Sequence, residues 1–115
     1  MDMILHITTC SAWDEAVTAG SYHPSSLESD GFIHCSTPEQ TSATANLFFT
    51  GSCDLVLLCI DPALTGCDLR YEPPADNGDT RVENLFPHLY GPLRIDAVAQ
   101  VVPFPPDAAG RFHLP

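Results

Sequence analysis

The pattern of hydrophobic and polar positions predicts a strand and a short helix at the amino end of the chain. Residues 3–9 (MILHITT) are rich in β-branched side chains, which favours a strand. Ser11 followed three residues later by Asp14 resembles a helix start, and Gly20 resembles a helix stop. A first short helix is therefore predicted between them.

The next segment repeats this order. Residues 31–36 (GFIHCS) predict a second strand. Thr37, Pro38 and Gln40 suit the N-cap, N1 and N3 positions of a second helix, which Gly51 would end. Two strand-then-helix units are therefore expected before the middle of the chain.

The remaining segments are mostly typical of strands. Residues 54–61 (DLVLLCID) carry six consecutive apolar positions between aspartates, which predicts a strand that is central in its sheet and buried on both faces. Residues 68–72 alternate as a half-buried strand does, and the polar residues 73–84 predict a surface loop. Residues 93–104 and 110–115 return to a β-like composition. Helices followed by strands predict an α+β fold.

Composition indicates one compact domain spanning residues 1–115. Hydrophobic residues make up 44% of the 115 positions and charged residues 17%, which is enough to form a core. Fifteen acidic residues face four arginines and no lysine, and the formal charge is -11. Such a surface repels nucleic acid, and the absence of lysine excludes Schiff-base chemistry.

The cysteines and the amino terminus bear on where the protein works. Five cysteines without a C-x-x-C pair indicate free thiols and argue against a disulfide framework or a zinc ribbon. Asp2 stands where a signal peptide would be basic, and no apolar run reaches the length of a membrane span. We therefore expect a cytoplasmic protein that does not bind membranes.

Two predicted strands carry the same polar pair on one face. His6 with Thr8, and His34 with Ser36, are each two residues apart and precede a helix start. If the strands are neighbours, these side chains meet near helix amino termini, where an anion such as phosphate binds and imidazoles stay neutral. Neutral imidazoles suit ribose hydroxyls. The alternative, equally weighted, is that the histidines only satisfy polar groups of the fold.

A second group of candidate site residues lies within residues 84–96 (NLFPHLYGPLRID). The prolines and Gly91 predict a bend, and His88, Tyr90 and Arg94 offer a base, a stacking surface and a cation for phosphate. The alternative is a proline-rich turn in which these side chains only bond the backbone.

Several motifs of the chain resemble a known family. ILHITTCSAW, GSYHPSSL, GFIHCSTPEQ, LRYE, FPHLYGPL and GRFHLP are similar to a bacterial family of unknown function, domain of unknown function 952. That family resembles the ADP-ribosyltransferases in fold, and LHIT with FIHCSTPEQTSATA resembles segments of RNA 2′-phosphotransferases. This resemblance implies a bent or split, mostly antiparallel sheet with two short helices and an NAD site.

The resemblance also implies roles for individual residues. His6 and Thr8 match positions that hold the nicotinamide ribose, and His34 and Ser36 match positions that line the same pocket. The chain departs from the pattern of those transferases in three respects. Ile7 replaces a glycine, and the glutamate of a late strand is missing, although Glu72 and Glu83 lie earlier in the chain. Arginines that would hold RNA are also lacking.

Three hypotheses follow. In the first, the protein binds NAD or ADP-ribose and acts at the nicotinamide glycosidic bond. Its catalytic residues would be His34, His88 and Glu72, and its binding residues His6, Thr8, Ser36, Tyr90, Arg94 and Arg70. In the second, an inactive member of the fold binds a small ligand or a protein partner. The third, a metal site of His6, His34, Cys35 and His88, is the weakest because Cys35 should point away from His34, so we expect no metal.

Overall fold

The computed structural model describes residues 3–73 and 85–115. Helices and strands follow one another along the chain as β1 (Ile4–Thr9), α1 (Cys10–Ala19), β2 (Ser21–Tyr22), α2 (Ser26–Ser29), β3 (Ile33–His34), α3 (Pro38–Phe48), β4 (Leu55–Ile60), β5 (Asp68–Glu72), β6 (Phe86–Tyr90), β7 (Leu93–Arg94) and β8 (Val98–Pro103). Short 3-10 helices cover Pro62–Leu64 and Ile95–Ala97.

Helix α1 begins two residues earlier than its predicted start. The N-cap is Thr9, whose Oγ1 accepts a hydrogen bond from the Ala12 N–H at 3.1 Å, so the predicted cap at Ser11 is wrong. A threonine cap at this position satisfies one of the helix's unpaired N–H groups just as well. The predicted stop is confirmed, because Gly20 adopts a left-handed φ of 90° and donates its N–H to the Ala16 carbonyl.

Helix α3 starts as predicted. Thr37 is the N-cap with Pro38 following it, and the Gln40 side chain accepts the Thr37 N–H at 3.0 Å. The same amide donates to the Leu85 carbonyl at 2.7 Å, which ties the helix to the chain just before β6. The helix ends at Phe48, ahead of the predicted stop at Gly51. With α2, the described residues hold three α-helices where two were predicted.

Within residues 3–73 and 85–115, all strand pairs are antiparallel, and they form three small sheets. The first has the order β1-β4-β8, the second is β2-β7, and the third has the order β3-β6-β5. A bridge between Leu5 and Ser36, with N–H to carbonyl distances of 2.8 and 2.7 Å, links the first sheet to the third. The chain is thus one compact α+β domain whose antiparallel sheet is split.

Strand β4 separates two hydrophobic clusters, as its unbroken apolar run predicted. Val56, Leu58 and Ile60 pack into the larger cluster, and Leu55 and Leu57 pack into the smaller one. The larger cluster also contains Ile4, Ile33, Leu89 and Leu93, and the smaller one Phe104 and Phe112. Both faces of the strand are therefore buried, and its central place in the sheet is confirmed.

The last third of the chain departs from the prediction in three places. Residues 93–104 divide into β7, a 3-10 helix and β8 instead of one strand. Residues 110–115 form no strand, because Phe112 is held by Asn46, which accepts its N–H at 2.8 Å and donates to its carbonyl at 3.0 Å. The predicted loop at 73–84 lies, from residue 74 onward, outside the described residues.

Of residues 84–96, where the prolines and Gly91 predicted a bend, residues 86–90 form strand β6, the centre of its sheet. Pro87 has no N–H to donate to the sheet, but its carbonyl accepts the Cys35 N–H at 3.0 Å. The chain turns only afterwards, at Gly91, where a Cβ atom would lie 3.0 Å from the Cβ of Cys67. Any larger residue would press against Cys67, so this close approach favours glycine.

Two further observations concern the cysteine thiols and the absence of a membrane-spanning helix among the described residues. All five cysteines are free thiols, as predicted. Among residues 3–73 and 85–115, no helix is both long and apolar enough to cross a bilayer.

Candidate functional site

The register of the third sheet places polar side chains of three strands in one row. His34 on β3 pairs with His88 on β6, and Arg70 on β5 pairs with His88 from the other side. Ile33 and Leu89, at the alternate positions, are fully buried in the larger hydrophobic cluster. Because side chains alternate along a strand, the row of His34, His88 and Arg70 lies on the other face of the sheet.

This row belongs to a cluster that we call the imidazole face, formed by Phe32, His34, Arg70, Glu72, His88 and Tyr90. Phe32 stacks on the His88 ring with centroids 4.0 Å apart and an interplanar angle of 21°. The His34 ring meets His88 edge-on at 5.5 Å, and Phe32 also contacts Tyr90 at 5.3 Å. Packing of this kind keeps His88 only 6% exposed.

Glu72 is the hydrogen-bond acceptor at the centre of the imidazole face. Its Oε1 accepts the Nδ1–H of His88 at 2.8 Å and the hydroxyl of Tyr90. The hydrogen bond from Tyr90, followed by that from His88, lowers the pKa of the Glu72 carboxyl, so it is ionised at neutral pH. The same bond raises the pKa of Tyr90, which stays protonated. Glu72 is thus a carboxylate held by two donors.

His88 is a neutral imidazole with a defined tautomer. Burial lowers its pKa from the usual value, although the bond to Glu72 opposes that change. Since an ionised carboxylate can only accept, Nδ1 of His88 carries the hydrogen and Nε2 carries the lone pair. Among residues 3–73 and 85–115, the His88 side chain makes a single hydrogen bond, which is the one to Glu72. The arrangement is that of a base oriented by a carboxylate.

Arg70 and His34 lie at the exposed margins of the imidazole face. The guanidinium carbon of Arg70 sits 4.5 Å from the centroid of the Tyr90 ring, and its Nη2 lies 3.4 Å from Asp68. On the other side, His34 Nε2 lies 2.8 Å from the Asp30 carboxylate. Both contacts are exposed and contribute little to stability, so Arg70 and His34 can change partners.

A second polar centre lies in the interior, around His6. Its Nδ1 is 2.6 Å from the His34 carbonyl oxygen, and its Nε2 is 2.7 Å from the Tyr22 hydroxyl. The Tyr22 hydroxyl lies in turn 3.1 Å from Thr8 Oγ1. Since a carbonyl only accepts, Nδ1 carries the ring hydrogen and Nε2 accepts from Tyr22. Burial lowers the pKa of His6 to about 4, so the ring is neutral.

The structure brings together five of the residues predicted to form a site. His34, Arg70, Glu72, His88 and Tyr90 share the imidazole face. This group is smaller than the nine-residue site of the first hypothesis, because the sequence pattern did not show which strands pair.

The other four predicted residues lie elsewhere. His6 and Thr8 share a face of β1, as alternation predicted, but His6 contacts only the backbone of β3, so the expected meeting of the His6, Thr8, His34 and Ser36 side chains is not observed. Ser36 is buried in the bridge to Leu5. Arg94 lies on β7 and pairs with Asp96 at 3.0 Å. Glu83 lies outside the described residues.

Two residues with site contacts were not predicted, Phe32 and Tyr22. Phe32 precedes Ile33 and shares the face of His34 by alternation, which is a signal that the sequence did contain. Tyr22 gives no such signal, since its bond to His6 depends on how β2 packs against β1. Among the described residues, no group of three or more histidine, cysteine or acidic side chains is arranged to hold a metal ion.

Comparison with known proteins agrees with this architecture. A family model, "Protein of unknown function (DUF952)", matches residues 7–101, and the chain belongs to that family. The crystal structure of protein CC0527 from Caulobacter crescentus is similar, with 34% identity, a TM-score of 0.83, and coverage of 97% of this chain and 94% of that one. Its solution NMR structure gives 35% identity, a TM-score of 0.79, and coverage of 96% and 91%. No curated protein matches the chain.

Proposed function

We propose that the imidazole face binds a dinucleotide of the NAD or ADP-ribose type and that His88 acts there as a general base at the nicotinamide glycosidic bond. The observation that carries the proposal is the 2.8 Å hydrogen bond between Glu72 and His88 among two aromatic rings and a guanidinium. The resemblance of the HIT and FIHCS segments to NAD-using transferases supports the choice of ligand.

The charges and rings of the imidazole face suit the parts of such a ligand. Phe32 and Tyr90 offer apolar ring surface for a planar base. The Glu72 carboxylate favours the cationic nicotinamide ring. Arg70 lies over the Tyr90 ring and pairs with Asp68 by an exposed contact, so a diphosphate can replace Asp68 as the partner of its guanidinium. His6, whose two ring nitrogens are bonded internally, contacts no ligand in this proposal.

The reaction proposed is hydrolysis or transfer at C1′ of the nicotinamide ribose. A water or acceptor hydroxyl attacks C1′, the C1′–N1 bond breaks, and nicotinamide leaves with the bonding electrons as a neutral molecule. The proton of the attacking group passes to Nε2 of His88, whose lone pair is fixed there by the bond from Nδ1–H to Glu72. In this proposal His34, whose ring lies 5.5 Å from that of His88, hydrogen-bonds the ribose.

The test has a binding arm and a turnover arm. NAD and ADP-ribose should raise the melting temperature of the protein, since a ligand at a hundredfold excess over its dissociation constant stabilises a fold by about 2.7 kcal/mol. Arg70→Ala should weaken the binding of ADP-ribose but leave the binding of nicotinamide unchanged. Nicotinamide release from NAD should fall about a hundredfold or more in His88→Gln.

His113→Gln is the matched control, because His113 also bonds a carboxylate at 2.8 Å, that of Asp107, near the carboxyl end of the chain. It should behave as wild type in both arms. Stabilisation by ADP-ribose without any nicotinamide release would favour the inactive, ligand-binding hypothesis. No stabilisation by any of the three ligands would refute the proposed function.

A further inference from the structure

Strands β1 and β3 belong to different sheets but lie side by side. Within residues 3–73 and 85–115 their backbones form one bridge, in which Leu5 and Ser36 exchange hydrogen bonds of 2.8 and 2.7 Å. In an antiparallel ladder the next rung would pair Ile7 with His34. The His34 carbonyl instead accepts the Nδ1–H of the His6 ring at 2.6 Å. A side chain therefore takes the place of a backbone bond between the two sheets.

The opposite edge of β3 faces β6, and one rung there is incomplete. Cys35 donates its N–H to the Pro87 carbonyl at 3.0 Å, but a proline has no N–H with which to return a bond. Strand β3 itself is two residues long, Ile33–His34. The bond from His6 thus supports a short strand from the other side, next to the rung that Pro87 completes only by half.

His6 is fixed in the interior, whereas the His34 ring that it supports is open to solvent. The His6 residue is 9% exposed, and its Nε2 lies 2.7 Å from the Tyr22 hydroxyl. The His34 side chain is 52% exposed and contacts Asp30 at 2.8 Å. The buried end of this connection is therefore held by protein contacts, and the exposed end is free to meet a ligand.

We propose that His6 is a positioning residue of the imidazole face and acts through the His34 carbonyl, a role that rests on the function proposed above. By fixing the backbone of His34, the bond sets the distance between the His34 and His88 rings, whose centroids are 5.5 Å apart. The ribose contact of His34 and the base Nε2 of His88 then keep a fixed spacing for one ligand. His6 acts from behind the site, although the family resemblance implied that it would contact the ribose itself.

The first measurement needs no ligand. His6→Gln lacks a donor at the position of Nδ1, whereas the amide of His6→Asn can still donate to the His34 carbonyl. In His6→Gln the carbonyl ¹³C signal of His34 should shift, and the nuclear Overhauser effect between the ring protons of His34 and His88 should weaken. His6→Asn should keep both signals near those of the wild type.

Tyr22→Phe is the matched control, because it removes the other hydrogen bond of His6 and keeps the one to His34. It should leave the His34 carbonyl signal and the Overhauser effect close to wild type, even though the fold is less stable. An unchanged carbonyl signal in His6→Gln, or an equal change in Tyr22→Phe, would overturn the proposal.

The second measurement is a double-mutant cycle on ADP-ribose binding, at a temperature where every variant is folded. His6→Gln should weaken ADP-ribose about tenfold in the wild-type background and much less in the His34→Ala background, which lacks the ring but keeps the carbonyl. Equal weakening in both backgrounds would show a general loss of packing and refute the positioning role. If the wild type does not bind ADP-ribose, the proposed function fails, and the carbonyl and Overhauser signals alone then uphold or overturn the role of His6.

Discussion

The imidazole of His88 donates its Nδ1 hydrogen to the Glu72 carboxylate across 2.8 Å, although the two residues lie on different strands. Burial of His88 and ionisation of Glu72 act together here: the first keeps the imidazole neutral, and the second fixes which nitrogen holds its hydrogen. A base of defined tautomer is therefore built into the centre of the imidazole face.

Replacing Glu72 by glutamine should lower the pKa of His88 further. The carboxylate raises that pKa through its hydrogen bond and its charge, so its loss leaves the effect of burial unopposed. The measurement is an NMR titration of the His88 Cε1–H signal in both proteins. Asp107→Asn, which alters the carboxylate bonded to His113, serves as control and should leave His88 unchanged. An increase in the His88 pKa in Glu72→Gln would contradict this account.

Stability should fall as the pH drops from about 6.5 to about 4, because of His6. Its pKa is about 4 in the folded protein and 6.5 in the reference state, so the unfolded chain binds a proton in this window that the folded protein does not. The free energy of unfolding then rises with pH across the window, by up to about 3 kcal/mol in total. Below the folded pKa both states are protonated and this dependence ends.

Urea unfolding at several pH values tests the role of His6. Wild type should lose stability between about pH 6.5 and about pH 4, and His6→Gln, which has no titrating ring, should show a much flatter dependence even if it is less stable throughout. The control is His113→Gln, since His113 is exposed. Parallel pH curves for wild type and His6→Gln would mean that other groups cause the loss.

Much of the fold could be predicted from short stretches of the sequence. The six apolar residues of β4 allow few alternatives to a central strand, and Thr37, Pro38 and Gln40 specify a helix start through local hydrogen bonds. Strand β6 was not predicted, because Pro87 normally interrupts a sheet. It forms through pairing with β3 and β5, which lie far away in the sequence.

The candidate site, like the fold, could be predicted only where its contacts lie within one short stretch of sequence. Alternation correctly placed His6 with Thr8, because both lie on one stretch of chain, and the same rule puts Phe32 on the face of His34. It could not show that His34 pairs with His88, or that Glu72 reaches the same ring, since those contacts depend on register between strands. The sequence pattern also did not show that Arg94 would lie on β7 and pair with Asp96.

Removing the Tyr22 hydroxyl should destabilise the fold by about 1–3 kcal/mol, the usual cost of leaving a buried polar group unpaired. In Tyr22→Phe, Nε2 of His6 loses its donor in the interior. Tyr71→Phe removes the same atom from a tyrosine that is 49% exposed and should change stability very little. Chemical denaturation of both variants measures the difference. Equal stabilities for the two variants would show that water or a rearranged side chain replaces the lost bond.

Truncation of Leu58 should be more damaging than any of these polar changes. Leu58 is fully buried on β4 and packs into the larger cluster with Ile33 and Leu89, the residues directly behind the imidazole face. Leu58→Ala should lower the free energy of unfolding by about 2–5 kcal/mol, because it leaves a cavity in close-packed surroundings. Leu47→Ala, at a position that is 71% exposed, should cost less than about 0.5 kcal/mol. Similar guanidinium midpoints for these two variants would contradict the close packing of Leu58 against Ile33 and Leu89. A large loss in Leu58→Ala, together with weaker ADP-ribose binding at a temperature where the variant is folded, would show that the packing of this strand also positions His88.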